Sequence, residues 1–326
     1  MVSKSRKETP EVGIVVPCYN EAEVAPMLVE RLANLSKAWP YPVRVLFVDD
    51  GSRDRTYERL AAACEQNPAM ACLRLSRNFG HQTAVSAGLA RVRGDVVAVI
   101  DADLQDPPEF ILEMLAKWRE GYDVVYGIRT NRKEGPFLRM AYALFYRILK
   151  KIANVDIPLD AGDFSLMDRE VVDQINAMPE HNRFIRGLRG WVGFRQIGLP
   201  YNRQARQAGA PKYNLFRLMN LAMNGIISFS SVPLKIASWC GAVSSFLGFL
   251  LMLWVLVNGL VYGRTPPGWA SLAVIVLMFG GIQLIVLGII GEYVSRIFDE
   301  VKRRPHFIVC AAAGWVSADL RRPGAE

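Results

Sequence analysis

Two long stretches without a charged residue, Ile236 to Tyr262 and Ala270 to Gly291, narrow the folds open to this chain more than any other feature. Each exceeds the roughly 20 apolar residues that cross the hydrocarbon of a bilayer. Their length and unbroken apolarity argue against two core helices of a soluble protein, which keep a polar outer face. Between them lies Gly263-Arg264-Thr265-Pro266-Pro267-Gly268-Trp269, a short turn with an aromatic residue at its edge. The pattern predicts a hairpin of two transmembrane helices, over about 236–262 and 270–293. Arg296, Lys302, Arg303 and Arg304 follow the second run, whereas the turn carries Arg264 alone. Positive charge collects on the cytoplasmic side, so a multi-pass protein of the cytoplasmic membrane is expected, with both termini and the large amino-terminal region in the cytoplasm. Met1 to Lys7 is basic with no apolar run behind it, and it does not read as a signal peptide.

The formal net charge of +8 points to anionic partners, either lipid headgroups or phosphates. Nucleic acid is a weaker candidate, because no helix-turn-helix, finger or single-strand-binding signature accompanies the charge. The five cysteines form no C-x-x-C pair and no zinc spacing, and they read as reduced, buried thiols.

Ahead of the hairpin, short apolar runs alternate with helical spacing. Val12 to Val16, Val43 to Val48, Cys72 to Leu75, Val96 to Ile100 and Asp123 to Gly127 read as strands. Ala22–Lys37, a helix after Asp54, His81–Val92 and Phe110–Glu120 read as the helices between them. Such alternation predicts a mostly parallel α/β sheet with right-handed crossovers. The polar clusters Tyr19/Asn20/Glu21, Asp49/Asp50 and Asp101/Asp103/Gln105 all follow strands, so they gather on one edge of the sheet, where open α/β folds bind ligands. In an extended segment Asp101 and Asp103 point the same way, because side chains alternate with period two. Two converging carboxylates without a base between them repel unless a cation or a proton joins them. With the neutral oxygen of Gln105 on the same face, they outline a site for Mg²⁺ or Mn²⁺. The alternative for the D-x-D alone is a solvated acidic loop. No G-x-G and no G-K-[ST] occurs, which excludes the dinucleotide fingerprint and the P-loop.

From Glu134 to Val155 an apolar stripe runs beside Arg139, Arg147, Lys150 and Lys151, as in a helix lying in a membrane interface; a core helix with snorkelling bases is the alternative. Asn214 to Ser231 reads as a second interfacial piece leading into the first span. Between them Asp160 to Asp168 reads as a strand entered by two acids. Arg183, Arg186, Arg189, Arg203, Arg206 and Lys212 follow. Arginine forks suit phosphate oxygens, so a phosphate-bearing lipid or a leaving diphosphate is expected there, against the alternative of a basic face attracted to headgroups.

With these residues in view, the chain resembles the family 2 glycosyltransferases of GT-A fold. Within them it is similar to the polyprenyl-phosphate glycosyltransferases, the group of bactoprenol glucosyltransferase and dolichol-phosphate mannose synthase. The matching motifs run in order from about Val12 to Arg304: Pro17-x-Tyr19-Asn20-Glu21, Asp49-Asp50-Gly51-Ser52-x-Asp54-x-Thr56, Asn78-x-Gly80, Gly94-Asp95 and Asp101 to Glu109. Gly127-x-Arg129, Gly162-Asp163-Phe164, Asn182-Arg183-Phe184-x-Arg186-Gly187 and Arg203-x-x-Arg206-x-x-Gly209-x-x-Lys212-Tyr213 complete the set. Each motif is weak alone, and the ordered set is specific. Pro211 departs from the pattern, standing where a serine is common before the Lys-Tyr pair.

The resemblance implies a domain plan: a polar tail over 1–10, a GT-A domain over 11–213 with an interfacial helix at about 135–153, and a juxtamembrane helix over 214–233. Two spans within 234–294 and a cytoplasmic tail over 295–326 complete it. It implies that Pro17, Tyr19, Glu21, Asp50, Asp101, Ala102 and Arg129 line the nucleotide-sugar. Asp103 and Gln105, with Asp101 beside them, hold the metal on the diphosphate. Arg183, Arg186, Arg203, Arg206 and Lys212 meet donor or acceptor phosphates. The implied reaction is inverting transfer of a hexose, UDP-glucose being the first donor to test, to undecaprenyl phosphate, with Mg²⁺ or Mn²⁺ as Lewis acid. Because a phosphate oxygen is already ionised, a general base is less necessary than for a hydroxyl acceptor. Asp163 is the candidate base and Asp160 the second, the alternative role for Asp163 being to orient an arginine. The resemblance also implies a homo-oligomer, a tetramer among the options. Competing readings are a processive polysaccharide synthase, disfavoured because Q-x-x-R-W is absent and only two spans are predicted, and an inactive membrane adaptor, disfavoured by the intact acids.

Overall fold

A computed structural model describes residues 6–129, 161–181, 183–202, 232–262 and 268–320. The described residues fall into two compact units. One holds the chain up to residue 202 together with the residues from Pro305 on, and the other holds the two long helices up to Arg304.

The first unit is built on one mixed sheet. Its strands are β1 (Val12–Cys18), β2 (Val43–Asp49), β3 (Met70–Leu75), β4 (Val96–Val99), β5 (Val124–Arg129), β6 (Ala161–Asp168), β7 (Gln196–Tyr201) and β8 (Val309–Gly314), in the order β7-β5-β6-β4-β1-β2-β3-β8. β1, β2 and β4 are wholly buried or nearly so, as β-branched runs covered on both faces must be. Helices α1 (Ala25–Ala38), α2 (Thr56–Gln66), α3 (His81–Arg91) and α4 (Ile111–Arg119) follow successive strands. α1 starts three residues later than the spacing predicts, where Pro26 enters its first turn. α3 is rich in small residues because it lies close on the sheet: a Cβ at Gly88 would overlap the side chain of Val15.

The sheet is mixed rather than simply parallel. β6 runs antiparallel to both β4 and β5, and β8 antiparallel to β3. The strand–helix alternation that implies parallel crossovers holds only through β5, so the pattern carries no direction for the later strands. Helices α5 (Arg169–Ala177) and α6 (Ile185–Trp191) both follow β6 in sequence, ahead of β7. Asp168 caps α5 by accepting the Glu170 N–H and also takes the indole N–H of Trp118 at 2.8 Å.

The segment expected to be a carboxy-terminal tail contains an edge strand. β8, Val-Cys-Ala-Ala-Ala-Gly, is poor in β-formers, and its register with β3 (Cys72↔Ala313, Leu73↔Ala312) holds it in place. The Ser76 N–H adds a bond to the Ile308 carbonyl at 2.9 Å. The chain thus leaves this unit before the long helices and returns to it after them.

In the second unit α7 (Val232–Tyr262) and α8 (Trp269–Lys302) coincide with the two predicted apolar runs, and both are long and apolar enough to cross a membrane. Trp239, Phe246, Trp254, Leu284 and Ile285 are exposed along them. The interfacial helix expected at 135–153 and nearly all of the juxtamembrane piece at 214–233 lie outside the described residues.

Candidate active site

The loops after β1 and β2 are joined to each other by their own polar residues. The Asn20 N–H donates to Ser52 Oγ (2.9 Å), and Asn20 Oδ1 accepts the Arg53 N–H (2.9 Å). The Glu21 N–H donates to Thr56 Oγ1 (2.9 Å), and the Ala22 N–H to Asp54 Oδ2 (3.1 Å). Asp54 Oδ1 takes both the N–H and the hydroxyl of Thr56. Asn20 sits at φ 53°, a left-handed conformation that asparagine tolerates through such local bonds. Half of the residues in these two motifs therefore build the loops. Tyr19 and Glu21 remain half-buried at their surface, and Pro17 is buried at the end of β1, where pairing with β4 has already stopped and its missing N–H costs no ladder bond.

Asp50 is buried. Its two oxygens accept the N–H groups of Phe79 (2.8 Å) and Gly80 (2.9 Å), which ties the loop ahead of α3 to the end of β2. Gly51, at φ 64°, backs against the Arg77 carbonyl group, where a side chain would not fit. Burial pushes the Asp50 carboxyl up in spite of these bonds.

The acid loop follows β4. Asp103 Oδ1 accepts the Gln105 N–H (3.1 Å), a local turn that brings both side chains to one end of the loop. Leu104 occupies a left-handed conformation (φ 56°) while buried, and Ala102 is buried beside it. Asp101 keeps about a quarter of its side chain exposed (24%), yet its carboxyl is pushed up to about 6, by burial first and then by Asp106, Asp163 and Asp103. Crowded carboxylates of this kind fit a divalent cation. Among the described residues no three His, Cys, Asp or Glu side chains form a closed cage. That suits Mg²⁺ or Mn²⁺ held by one or two carboxylates and completed by substrate phosphates.

Tyr201, at the end of β7, steadies this loop. Its hydroxyl donates to Asp106 Oδ1 (2.5 Å) and accepts from Arg129 Nε (3.3 Å). The glycines of two motifs acquire a reason here: a Cβ at Gly127 would strike the Tyr201 ring, and one at Gly162 would press on the Arg129 guanidinium. Burial would lower the Arg129 pKa, but Tyr201, Asp106 and Asp101 outweigh it and raise it.

Asp163 stands on β6 with both oxygens engaged. Oδ1 accepts from Arg186 Nε (2.9 Å), and Oδ2 meets His81 Nε2 (3.1 Å) and Gln82 Nε2 (3.2 Å). Burial alone would raise its pKa, and Arg186, His81 and Arg189 reverse that and hold it far below the usual carboxylate range. Asp163 thereby has the contacts that its alternative role, orienting Arg186, requires. Arg183 turns toward α5. Its guanidinium donates to the carbonyls of Ile175 (2.6 Å) and Met178 (2.8 Å) at the carboxyl end of α5, where a cation complements the helix dipole. Asp160, Arg203, Arg206 and Lys212 lie outside the described residues.

Sequence reasoning missed His81, Gln82 and Tyr201. His81 follows Asn78-x-Gly80 and opens a helix after a strand, as the loops of Tyr19, Asp50 and Asp101 also follow strands, but it was read only as a helix start. Its Nε2 lies 3.1 Å from Asp163 and 3.9 Å from Asp101. Burial would lower its pKa, and the two carboxylates raise it overall.

Acids, a histidine and arginines thus collect beside the strand ends, where open α/β sheets bind ligands. Residues 13–175 match the family described as glycosyl transferase family 2. The chain is 48% identical to "Uncharacterized glycosyltransferase YkcC" of Bacillus subtilis (strain 168), over 96% of this chain and 97% of that one. It is 39% identical to "Bactoprenol glucosyl transferase" of Shigella phage SfII, over 92% of this chain and 97% of that one. Among solved structures, the mannosyltransferase PcManGT from Pyrobaculum calidifontis in complex with GDP-Man and Mn²⁺ aligns with a TM-score of 0.45 at 18% identity, covering 89% of this chain and 88% of that one. The chain belongs to glycosyl transferase family 2. It is a glycosyltransferase, and its mixed α/β sheet is GT-A-like.

Proposed function

We propose that this glycosyltransferase moves a hexose from a nucleotide-sugar, UDP-glucose or another UDP-hexose, to undecaprenyl phosphate at the cytoplasmic face of the membrane. The observation that carries the reading is the 39% identity to a bactoprenol glucosyl transferase over 92% of the chain, a span that takes in both the sheet unit and the two apolar helices.

The chemistry available in the site agrees with it. The acceptor phosphate oxygen attacks the anomeric carbon, the bond from that carbon to the donor's diphosphate breaks with its electron pair leaving on UDP, and the configuration inverts. A phosphate nucleophile needs no base, and the carboxylate nearest to being one, Asp163, is held ionised by Arg186 and His81. A cation held by Asp103, Gln105 and Asp101 would offset charge on the departing diphosphate. Arg129, braced by Tyr201, supplies a fixed positive charge beside that loop.

In this reading α7 and α8 cross the membrane. Residues before and after them belong to one folded unit, which agrees with a hairpin that returns to the side it left, and Arg296, Lys302, Arg303 and Arg304 support a cytoplasmic placement of that side. The test is to incubate the purified protein with undecaprenyl phosphate and a panel of labelled UDP- and GDP-sugars. A labelled lipid names the donor. No labelled lipid from any donor, with a protein that still binds nucleotide, defeats the proposal.

A further inference from the structure

We infer that Gln82 is a positioning residue for the transfer, its carboxamide setting Asp163 and the helix that carries Arg186 in register for a substrate phosphate; this rests on the proposed reaction, in which Arg186 meets a phosphate of the donor or of the acceptor. Gln82 stands in the first turn of α3 and reaches two other elements with one side chain. Its Nε2 donates to Asp163 Oδ2 on β6 (3.2 Å), and its Oε1 accepts the Ile185 N–H at the start of α6 (2.8 Å). The two partners agree on which way the amide faces. A peptide N–H can only donate and an ionised carboxylate can only accept, so a flipped amide would set like against like at both ends.

Both bonds serve the same alignment. The side chain of Phe184, which precedes α6, makes no capping bond, and the first N–H groups of a helix have no partner within it. Gln82 supplies a cap to Ile185 from 103 positions away. Arg186 is the next residue, and its Nε donates to Asp163 Oδ1 (2.9 Å) while Gln82 holds the other oxygen. One carboxamide therefore touches the carboxylate and also the helix whose arginine that carboxylate orients. A slip of α6 along β6 breaks one of the two bonds. The start of α3 is itself fixed, because Asp50 takes the N–H groups of Phe79 and Gly80 just ahead of it, and Ser86 Oγ bonds back to the Gln82 carbonyl (2.9 Å). Gln82 thus refers Arg186 to the end of β2 rather than to its own loop. The task also dictates the residue type: a donor and an acceptor at one tip, where glutamate has only acceptors and methionine neither.

The test uses the full-length protein in nanodiscs, each variant being assayed below its own melting temperature. Gln82→Glu keeps an acceptor for the Ile185 N–H, loses the donor to Asp163 and sets a second carboxylate against it. Gln82→Met keeps the length of the side chain and neither bond. Both are expected to raise the KM for one substrate by about ten- to a hundredfold, the value of a hydrogen bond to a charged group, and to change the other less than about threefold. A rise for undecaprenyl phosphate assigns the acceptor phosphate to the Asp163–Arg186 pair, and a rise for the nucleotide-sugar assigns the donor diphosphate. In an Arg186→Met background, Gln82→Met should add nothing to that rise, because the residue acts through Arg186. A full further rise there would overturn the inference. So would wild-type KM values in Gln82→Glu, which would reduce Gln82 to a cap for α6, or two KM values that rise together. If the wild type transfers no sugar, the transferase reading fails, and equilibrium binding of farnesyl phosphate and of UDP–Mn²⁺ decides the role of Gln82. Weaker binding of one of the two by Gln82→Glu supports it, and equal binding of both refutes it.

Discussion

Asp101 and Asp163 flank a single imidazole, and the fold treats their carboxyl groups in opposite ways. Asp101 shares its surroundings with Asp103, Asp106 and Asp163, and its pKa is pushed up to about 6. Asp163 faces Arg186, His81 and Arg189 and is held ionised. The first is crowded by other carboxylates with His81 3.9 Å away, and the second is met by two arginines and the same histidine. Pairs pushed apart in this way suit different roles: in the proposed reaction Asp101 would meet a cation brought with the substrate, while Asp163 is paired with Arg186 and His81.

The largest effect expected from breaking this contrast is on the acid side. Asp103→Ala, or removal of divalent cations by a chelator, should reduce sugar transfer by at least about a thousandfold, because charge on the leaving diphosphate then goes unmet. Labelled-lipid formation measures it, and an unchanged melting temperature shows that the variant still folds. Full activity of the variant with chelator present would remove the metal from the mechanism.

That acid side was legible in the sequence, whereas the basic side was legible only in pieces. β-branched runs such as Val12–Val16, Val43–Val48 and Val96–Val99 announce buried parallel strands, and the acids that follow them must share an edge. The same local logic places Asp101 with Asp103 by period two. The contact that defines the other side joins His81 to Asp163 across 82 positions, and nothing near either residue encodes it. Arg183 shows the converse. It lies in the same motif as Arg186 and carries the same charge, but only the fold turns one guanidinium toward α5 carbonyls and the other toward Asp163. β8 escaped for a related reason, since alanines take strand form there only because β3 offers an edge.

The next effect is smaller and differs in sign between the two sides. For Asp101 the folded pKa lies above the unfolded value of 3.8, so the folded state is penalised as pH rises through the interval from 3.8 to about 6. In metal-free protein at pH 7, Asp101→Asn should therefore stabilise, by at most about 2–3 kcal/mol, less for the part of the side chain that solvent screens. For Asp163 the folded pKa is depressed, so its contribution is fully present above 3.8 and is lost as pH falls below that value. Asp163→Asn should destabilise at pH 7 by about 3 kcal/mol, since it leaves Arg186 and the buried Arg189 without their carboxylate. Thermal melts with chelator present read both signs. Adding Mn²⁺ with UDP should raise the melting temperature of the wild type more than that of Asp101→Asn, narrowing the gap. Two shifts of the same sign would show that the sides are not electrostatically distinct.

The smallest expected effect tests how the acid side is held rather than what it holds. Tyr201 bonds to Asp106, beyond the D-x-D. Its hydroxyl links Asp106, one residue past Gln105, to Arg129, and its ring packs against Phe164 (5.4 Å between centroids) and Phe110 (5.5 Å). Tyr201→Phe keeps the packing and removes only the bridge between Asp106 and Arg129. A loss of about 1–3 kcal/mol in stability is expected, with a severalfold fall in kcat/KM. The loss of activity should fall on nucleotide-sugar affinity and spare the KM for the lipid phosphate, because the hydroxyl of Tyr201 bonds to Asp106 of the acid loop and to Arg129. An equal rise in the lipid KM would mean that the two sides move together. His81, between Asp101 and Asp163, would then be a mechanical link as well as an electrostatic boundary.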